Sequence, residues 1–132
     1  MSKDVECLCL DATAKEAARL MRDTNVGFLP VCGPDGAVVG TLTDRDLAIR
    51  LVASGLDGDT RVGDLMSMNP ITCAPSDDIE VAEKLMASHR KSRIMCIDQF
   101  GRVEGVVSLS DLAQRGDGAE TLRAVTRREA RA

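Results

Sequence analysis

A chain that repeats itself must build one small unit twice and then bury what each copy leaves open. Residues 40–48, "GTLTDRDLA", and residues 105–113, "GVVSLSDLA", share one order: a glycine, two strand-type residues, a hydroxyl, two variable residues and Asp-Leu-Ala. A single shift of 65 residues (111 − 46) superposes them without a gap. The same shift aligns Ala17 with Ala82, Leu20-Met21 with Leu85-Met86, Leu29 with Ile94, Gly36 with Gly101, Val38 with Val103 and Thr43 with Ser108. A three-stranded unit of that length is marginal alone. The two copies are therefore expected to share an interface about a pseudo-twofold axis.

Each copy reads as strand, helix, strand, strand, helix, which makes the fold class α+β. "VECLCL" has strand character, and Thr13 with Glu16 forms a Thr-x-x-Glu capping signature for a helix that buries Ala17, Leu20 and Met21 and ends near Asn25. "FLPVCG" and "AVVGTLT" flank Pro34-Asp35-Gly36, a turn in which proline presets one dihedral and glycine permits a positive one. "DRDLAIRLVASG" follows as a helix closed by Gly55. The second copy runs "ITCA", "SDDIEVAEKLMASH", "RIMCID", "RVEGVVS" and "SDLAQRG". The division is a first repeat over 1–58, a linker or lead-in over 59–68, a second repeat over 69–116 and a tail over 117–132.

With no Trp, no Tyr and only Phe28 and Phe100, aliphatic side chains must fill the interior. The net charge of −4 provides no overall basic field for a phosphate backbone, which argues against general nucleic-acid binding. No apolar run approaches the roughly 20 residues a bilayer demands, and the charged start "MSKDVECLCLDATAKE" is unlike a signal peptide. A cytoplasmic protein with no membrane association is expected. Five cysteines at irregular spacing (Cys7, Cys9, Cys32, Cys73, Cys96) do not form a secreted disulfide framework, so no obligatory bridge is expected. A parallel strand-helix-strand unit would still set Cys7 or Cys9 beside Cys32.

The tandem of strand, helix, two strands and helix, with "GTLTDRDL" and "GVVSLSDL" at the last strand-to-helix turns and "GFLPVCGPDGAVVG" before the first, resembles a CBS domain pair over about residues 4–115. The resemblance implies a Bateman module, a regulatory unit that takes adenosine nucleotides such as AMP, ADP or ATP in clefts between its halves and dimerises. Stand-alone bacterial modules of this kind are associated with stress and dormancy responses. It also implies the ligand residues: Thr43, Arg45 and Asp46 at the first turn, Ser108 and Asp111 at the second, and the base against Val26, Phe28 and Pro30 or Arg93 and Met95. An aspartate accepts from ribose hydroxyls, and a hydroxyl with helix-start amides suits a phosphate. Arg93 in "HRKSR" is the candidate phosphate clamp, where the first copy has Phe28. Met95 stands where the first copy has Pro30, a departure that predicts a different backbone path in the second repeat.

Each feature also has a plain structural role. Thr43-x-x-Asp46 is a capping-box variant, "HRKSR" complements a helix dipole, and Leu122 with Val125 among the tail arginines makes an amphipathic turn. His89 has no nucleophile or acid spaced to form a catalytic set, and Cys7-x-Cys9 is not a zinc or redox spacing. A non-enzymatic sensor that needs no cofactor or metal is the leading expectation. A ligand-free module for an unknown protein partner and a redox or metal sensor through Cys7, Cys9 and Cys32 are the rivals. The apolar residues Leu47, Leu51 and Leu112 on the second helices exceed what one small interface uses, which predicts a homodimer. Sedimentation should give twice 14.1 kDa. A monomer at tens of micromolar, roughly where a stable interface of standard size persists, would overturn this.

Overall fold

The computed structural model describes residues 7–110; the helix expected from Asp111 onward and the arginine-bearing tail lie outside the described residues. The chain divides into two compact units, one ending at Pro70 and the next beginning at Ile71.

The first unit opens with a two-residue strand, β1 (Leu8–Cys9), followed by helix α1 (Ala14–Thr24). Thr13, in an extended conformation, accepts at its side chain the N–H of Glu16 at 3.1 Å and so satisfies one of the helix's orphan donors. Asn25 ends the helix in the left-handed conformation (φ 55°), and its N–H returns to the Met21 carbonyl. Strand β2 (Phe28–Cys32) lies parallel to β1, as a helical crossover requires, and strand β3 (Val38–Thr43) turns back against β2. Ala14, Ala17 and Met21 form the buried face of α1, in one core with Leu8, Leu29, Val31 and Leu42 from the sheet.

The second unit repeats this scaffold. Strand β5 (Thr72–Cys73), helix α3 (Ile79–His89), strand β6 (Arg93–Ile97) and strand β7 (Val103–Ser108) form a sheet in the order β5-β6-β7. At the shift of 65 the helix and both hairpin strands coincide end to end with their counterparts. The irregularity between Val31 and Cys32 recurs between Cys96 and Ile97, and the left-handed cap recurs at Arg90 (φ 54°). Arginine at that position costs about 1 kcal/mol relative to a residue that tolerates it. Cys73, Ile79, Ala82, Met86, Ile94, Cys96 and Val107 make the second core. Met95 pairs with Val106 as Pro30 pairs with Thr41, so the substitution does not alter the backbone path that the sequence led us to expect it to change.

Two features depart from the simple repeat. The segment after β3 is not one regular α-helix: a short turn α2 (Asp44–Asp46) widens into a π-helical stretch over Leu47–Val52, where the Ala53 N–H reaches back to Ala48. Gly55, with φ 75°, ends it as the sequence suggested. The stretch read as a linker also has structure of its own. Its 3-10 turn (Val62–Asp64) contributes Val62, and the next residue Leu65, to the first core. Strand β4 (Ser67–Met68) then adds to the sheet beside β3, giving the order β1-β2-β3-β4.

Gly40 makes that addition possible, because a Cβ there would lie 2.6 Å from the Ser67 carbonyl oxygen and 2.8 Å from the Met66 sulfur. Gly40→Ala should therefore destabilise the fold by about 1–3 kcal/mol, lowering Tm by roughly 5–10 °C. Gly33→Ala, whose Cβ would meet nothing closer than 3.5 Å, is the near-neutral control. Equal melting temperatures for the two variants would show that β4 is not held against β3.

Candidate functional site

The β3–α2 turn is assembled from a reciprocal pair of hydrogen bonds. The Asp46 N–H donates to Thr43 Oγ1 at 3.1 Å, and the Thr43 N–H donates to Asp46 Oδ2 at 3.0 Å. The capping box read from the sequence is thus formed, and the Asp46 side chain is only 14% exposed. Its second oxygen, Oδ1, stands 3.9 Å from Nε of Arg50. Arg50 in turn donates from Nη1 to the carbonyls of Leu65 (3.1 Å) and Met66 (2.9 Å). Arg50 is not among the candidate residues read from the sequence. Its signal is the acid-to-base spacing of four residues from Asp46, which places the two side chains on one helical face.

A second tie draws the start of β2 to this turn. The Asp44 N–H donates to the Gly27 carbonyl at 3.0 Å, and a Cβ on Gly27 would lie 2.6 Å from Asp44 Oδ2. Only glycine admits the carboxylate at that distance. Phe28, half-buried, sits opposite Thr43 in the β2–β3 register, with Val26 exposed just before it and Pro30 buried two residues on. The fold therefore brings Phe28, Thr43 and Asp46 together at one end of the hairpin. Arg45 projects from the exposed side of the turn.

The second repeat has the same frame with other chemistry. The Leu109 N–H donates to the Ser92 carbonyl at 2.7 Å, the counterpart of the Asp44–Gly27 bond. Arg93, exposed, lies opposite Ser108 in the β6–β7 register, while Met95 is fully buried. Ser108 Oγ is 3.2 Å from Ser110 Oγ. Asp111 lies outside the described residues.

A cleft of about 630 Å³ opens at the other end of the β6–β7 hairpin, lined by Thr72, Cys73, Asp77, Asp98, Phe100 and Glu104 among others. Its carboxylates disfavour a phosphate. His89 Nδ1 lies 3.0 Å from the Leu85 carbonyl of its own helix and 3.2 Å from Ser88 Oγ. No group of three or more His, Cys, Asp or Glu side chains is arranged to hold a metal ion among the described residues. No helix among them is long and apolar enough to cross a membrane.

Cys7 and Cys9 are exposed free thiols, and Cys32 and Cys73 are buried ones. Burial, a hydrogen bond with Cys7 and the neighbouring Cys9 and Asp35 push the Cys32 thiol up to about 12. Burial, with Asp77 nearby, pushes Cys73 up to about 11.

The family model for the CBS domain matches residues 1–53 and 62–117, and the chain belongs to the CBS-domain family. The CBS domain-containing protein YhcV of Bacillus subtilis is 42% identical over 113 residues, covering 86% of this chain and 79% of the relative. Hypoxic response protein 1 of Mycobacterium tuberculosis is 32% identical over 115 residues, covering 86% and 80%. A crystal structure of Hypoxic Response Protein I with two coordinated zinc ions is 33% identical with a TM-score of 0.74, covering 84% of this chain and 90% of that one. A crystal structure of CBSX2 in complex with AMP, at 22% identity and a TM-score of 0.72 over 85% and 87% of the chains, shows the same fold.

The thiol shifts carry a sign. An unfolded thiol titrates near 9, whereas folded Cys73 keeps its proton to about 11. The stabilisation is complete below about pH 9 and is lost as pH rises from there through about 11, because only the unfolded state releases the proton. Under reducing conditions the stability of Cys73→Ser should fall less steeply than that of the parent across this window, by a difference of order 1 kcal/mol. Parallel curves would show that the Cys73 thiol is not protected.

Proposed function

We propose that this protein is a non-enzymatic regulatory CBS pair of the cytoplasm that binds an adenosine nucleotide at its strand-to-helix turns. The observation that carries the proposal is the Thr43–Asp46 turn. Its carboxylate is held rigid by the capping box through Oδ2, which leaves lone pairs on Oδ1 to accept from a ribose diol. Phe28, directly opposite Thr43, supplies an apolar surface for a base, and Val26 and Pro30 flank it in sequence. In the second repeat Arg93 supplies a cation beside Ser108, suited to a phosphate, with Met95 beneath and Asp111 as the expected counterpart of Asp46. That a protein of this fold has been solved with AMP supports the choice of AMP, ADP or ATP as ligands. The regulatory step needs only that one conformation, of the chain or of a homodimer with its protein partner, bind the nucleotide better than another.

The reciprocal bonds also favour a second reading. Thr43 and Asp46 satisfy each other's backbone donors without any ligand, as a helix cap in a nucleotide-free interaction module would. Asp46→Asn separates the two, because the amide oxygen still accepts from the Thr43 N–H while the anionic acceptor is lost. In calorimetry with AMP, ADP and ATP, the Asn variant should bind the best nucleotide at least about tenfold more weakly, the loss of one charge-assisted hydrogen bond, with Tm nearly unchanged. With no Trp or Tyr in the chain, nucleotide carried through purification shows directly as a 260 nm band. No heat with any of the three and no 260 nm band would leave the interaction module as the function.

A further inference from the structure

Strand β1 lies at the edge of its sheet, and its buried residue Leu8 belongs to the core beneath α1. Side chains alternate along a strand, so Cys7 and Cys9 lie on the opposite face. Next to it on β2, Val31 joins that core and Cys32 takes the same outer face as the two other cysteines. The parallel register sets Cys9 opposite Cys32. On that face Cys7 lies close enough to the Cys32 thiol to raise its pKa, as Cys9 does to a smaller extent. Cys7 and Cys9 are exposed, whereas Cys32 is buried. The equivalent positions in the second repeat are Thr72, Ala74 and Ile97, so the scaffold is built there without any of these sulfurs. The three thiols answer no need of the repeat itself.

We infer that Cys7 and Cys32 form a reversible dithiol that closes to a disulfide under oxidation and fastens the edge strand β1 to β2. The oxidant is a peroxide. The accessible Cys7 thiolate attacks one peroxide oxygen, the O–O bond breaks, and Cys7 becomes a sulfenic acid as the departing hydroxide takes a proton to give water. The Cys32 sulfur then attacks the Cys7 sulfur, the S–O bond breaks, and the hydroxyl leaves with the Cys32 proton as a second water. The two sulfurs lose two electrons to the peroxide, and a dithiol reductant returns them. Burial keeps Cys32 protonated, so the attack on peroxide falls to the exposed Cys7, and Cys32 gives its proton to the departing hydroxyl as its sulfur bonds to Cys7. The ring encloses α1 and the Val26–Pro30 stretch. The inference is independent of nucleotide binding.

The test uses the full chain, treated with hydrogen peroxide and then alkylated for mass spectrometry. The expected result is a loss of two alkylatable cysteines out of the five in the chain, with a peptide containing Cys7 joined to the one containing Cys32. Because Cys7 and Cys9 share a tryptic peptide, exposed-site variants assign the pair: Cys9→Ser keeps the link and Cys7→Ser abolishes it. The oxidised protein should melt about 10 °C above the reduced one, as expected for a closed loop of this length, and dithiothreitol should reverse the shift. A link that survives in Cys7→Ser, a sulfinic acid on Cys7 with Cys32 still free, a covalent dimer or an unchanged thiol count would each overturn the inference. An intramolecular bridge with no change in Tm would overturn the fastening of β1.

Discussion

Both repeats depend on how closely a helix can lie on its sheet. Ala17 and Ala82 are fully buried at equivalent points of α1 and α3. A side chain of that size lets the helix approach until the larger residues around it, Met21 with Leu29, Val31 and Leu42 in one repeat and Met86 with Ile94, Cys96 and Val107 in the other, close the core without aromatic rings. The helix then fixes the crossover that sets β1 parallel to β2 and β5 parallel to β6. Once that pair is placed, the hairpins can end in only one way, and Thr43 and Ser108 arrive at matching positions opposite the first residues of β2 and β6. A larger residue at either alanine would push the helix outward and disturb the turn at the hairpin's end, some distance from the substitution.

The scaffold was legible because its signals are local and repeated. The Thr13 cap, the Ala17, Leu20 and Met21 spacing, the Pro34-Asp35-Gly36 turn and the glycine at residue 55 each name a boundary without reference to the rest of the chain. What escaped the reading depends on contacts between distant segments. The π-helical stretch over Leu47–Val52 has an ordinary helical sequence, and Arg50 within it bonds to carbonyls fifteen and sixteen residues away. Ser67 and Met68 join the sheet because Gly40 leaves space for them, which no pattern within 59–68 announces. The Met95 departure was overread for the converse reason: a strand's path is set by its ladder, and the β6–β7 ladder keeps the register of β2–β3 whichever residue stands there.

The candidate site was legible as a pattern of residues, while its electrostatics became visible only in three dimensions. The spacing of Thr43 and Asp46 is read at once, but which carboxylate oxygen the cap consumes depends on the backbone at Thr43. Nor does the sequence place Asp44 against Gly27, a contact that ties the residues before β2 to the turn after β3. The two aspartates therefore serve different ends within one turn: the Asp44 N–H holds the Gly27 carbonyl at the entry to β2 while its carboxylate accepts from the Arg45 N–H, and the Asp46 carboxylate closes the cap.

The shared register of the two hairpins makes their chemical differences informative. Where the first repeat has Gly27, Phe28 and Asp44, the second has Ser92, Arg93 and Leu109 in the same ladder register, joined by the same main-chain hydrogen bond. The exchange removes a ring and a carboxylate from one turn and puts a guanidinium and an aliphatic chain at the other. A carboxylate repels a phosphate that a guanidinium attracts. On the proposed reading, the first turn therefore favours the apolar and diol-bearing portion of a nucleotide, and the second favours its charged end. Two turns that began as copies would then differ in preference through three side chains, with no change in the scaffold that presents them.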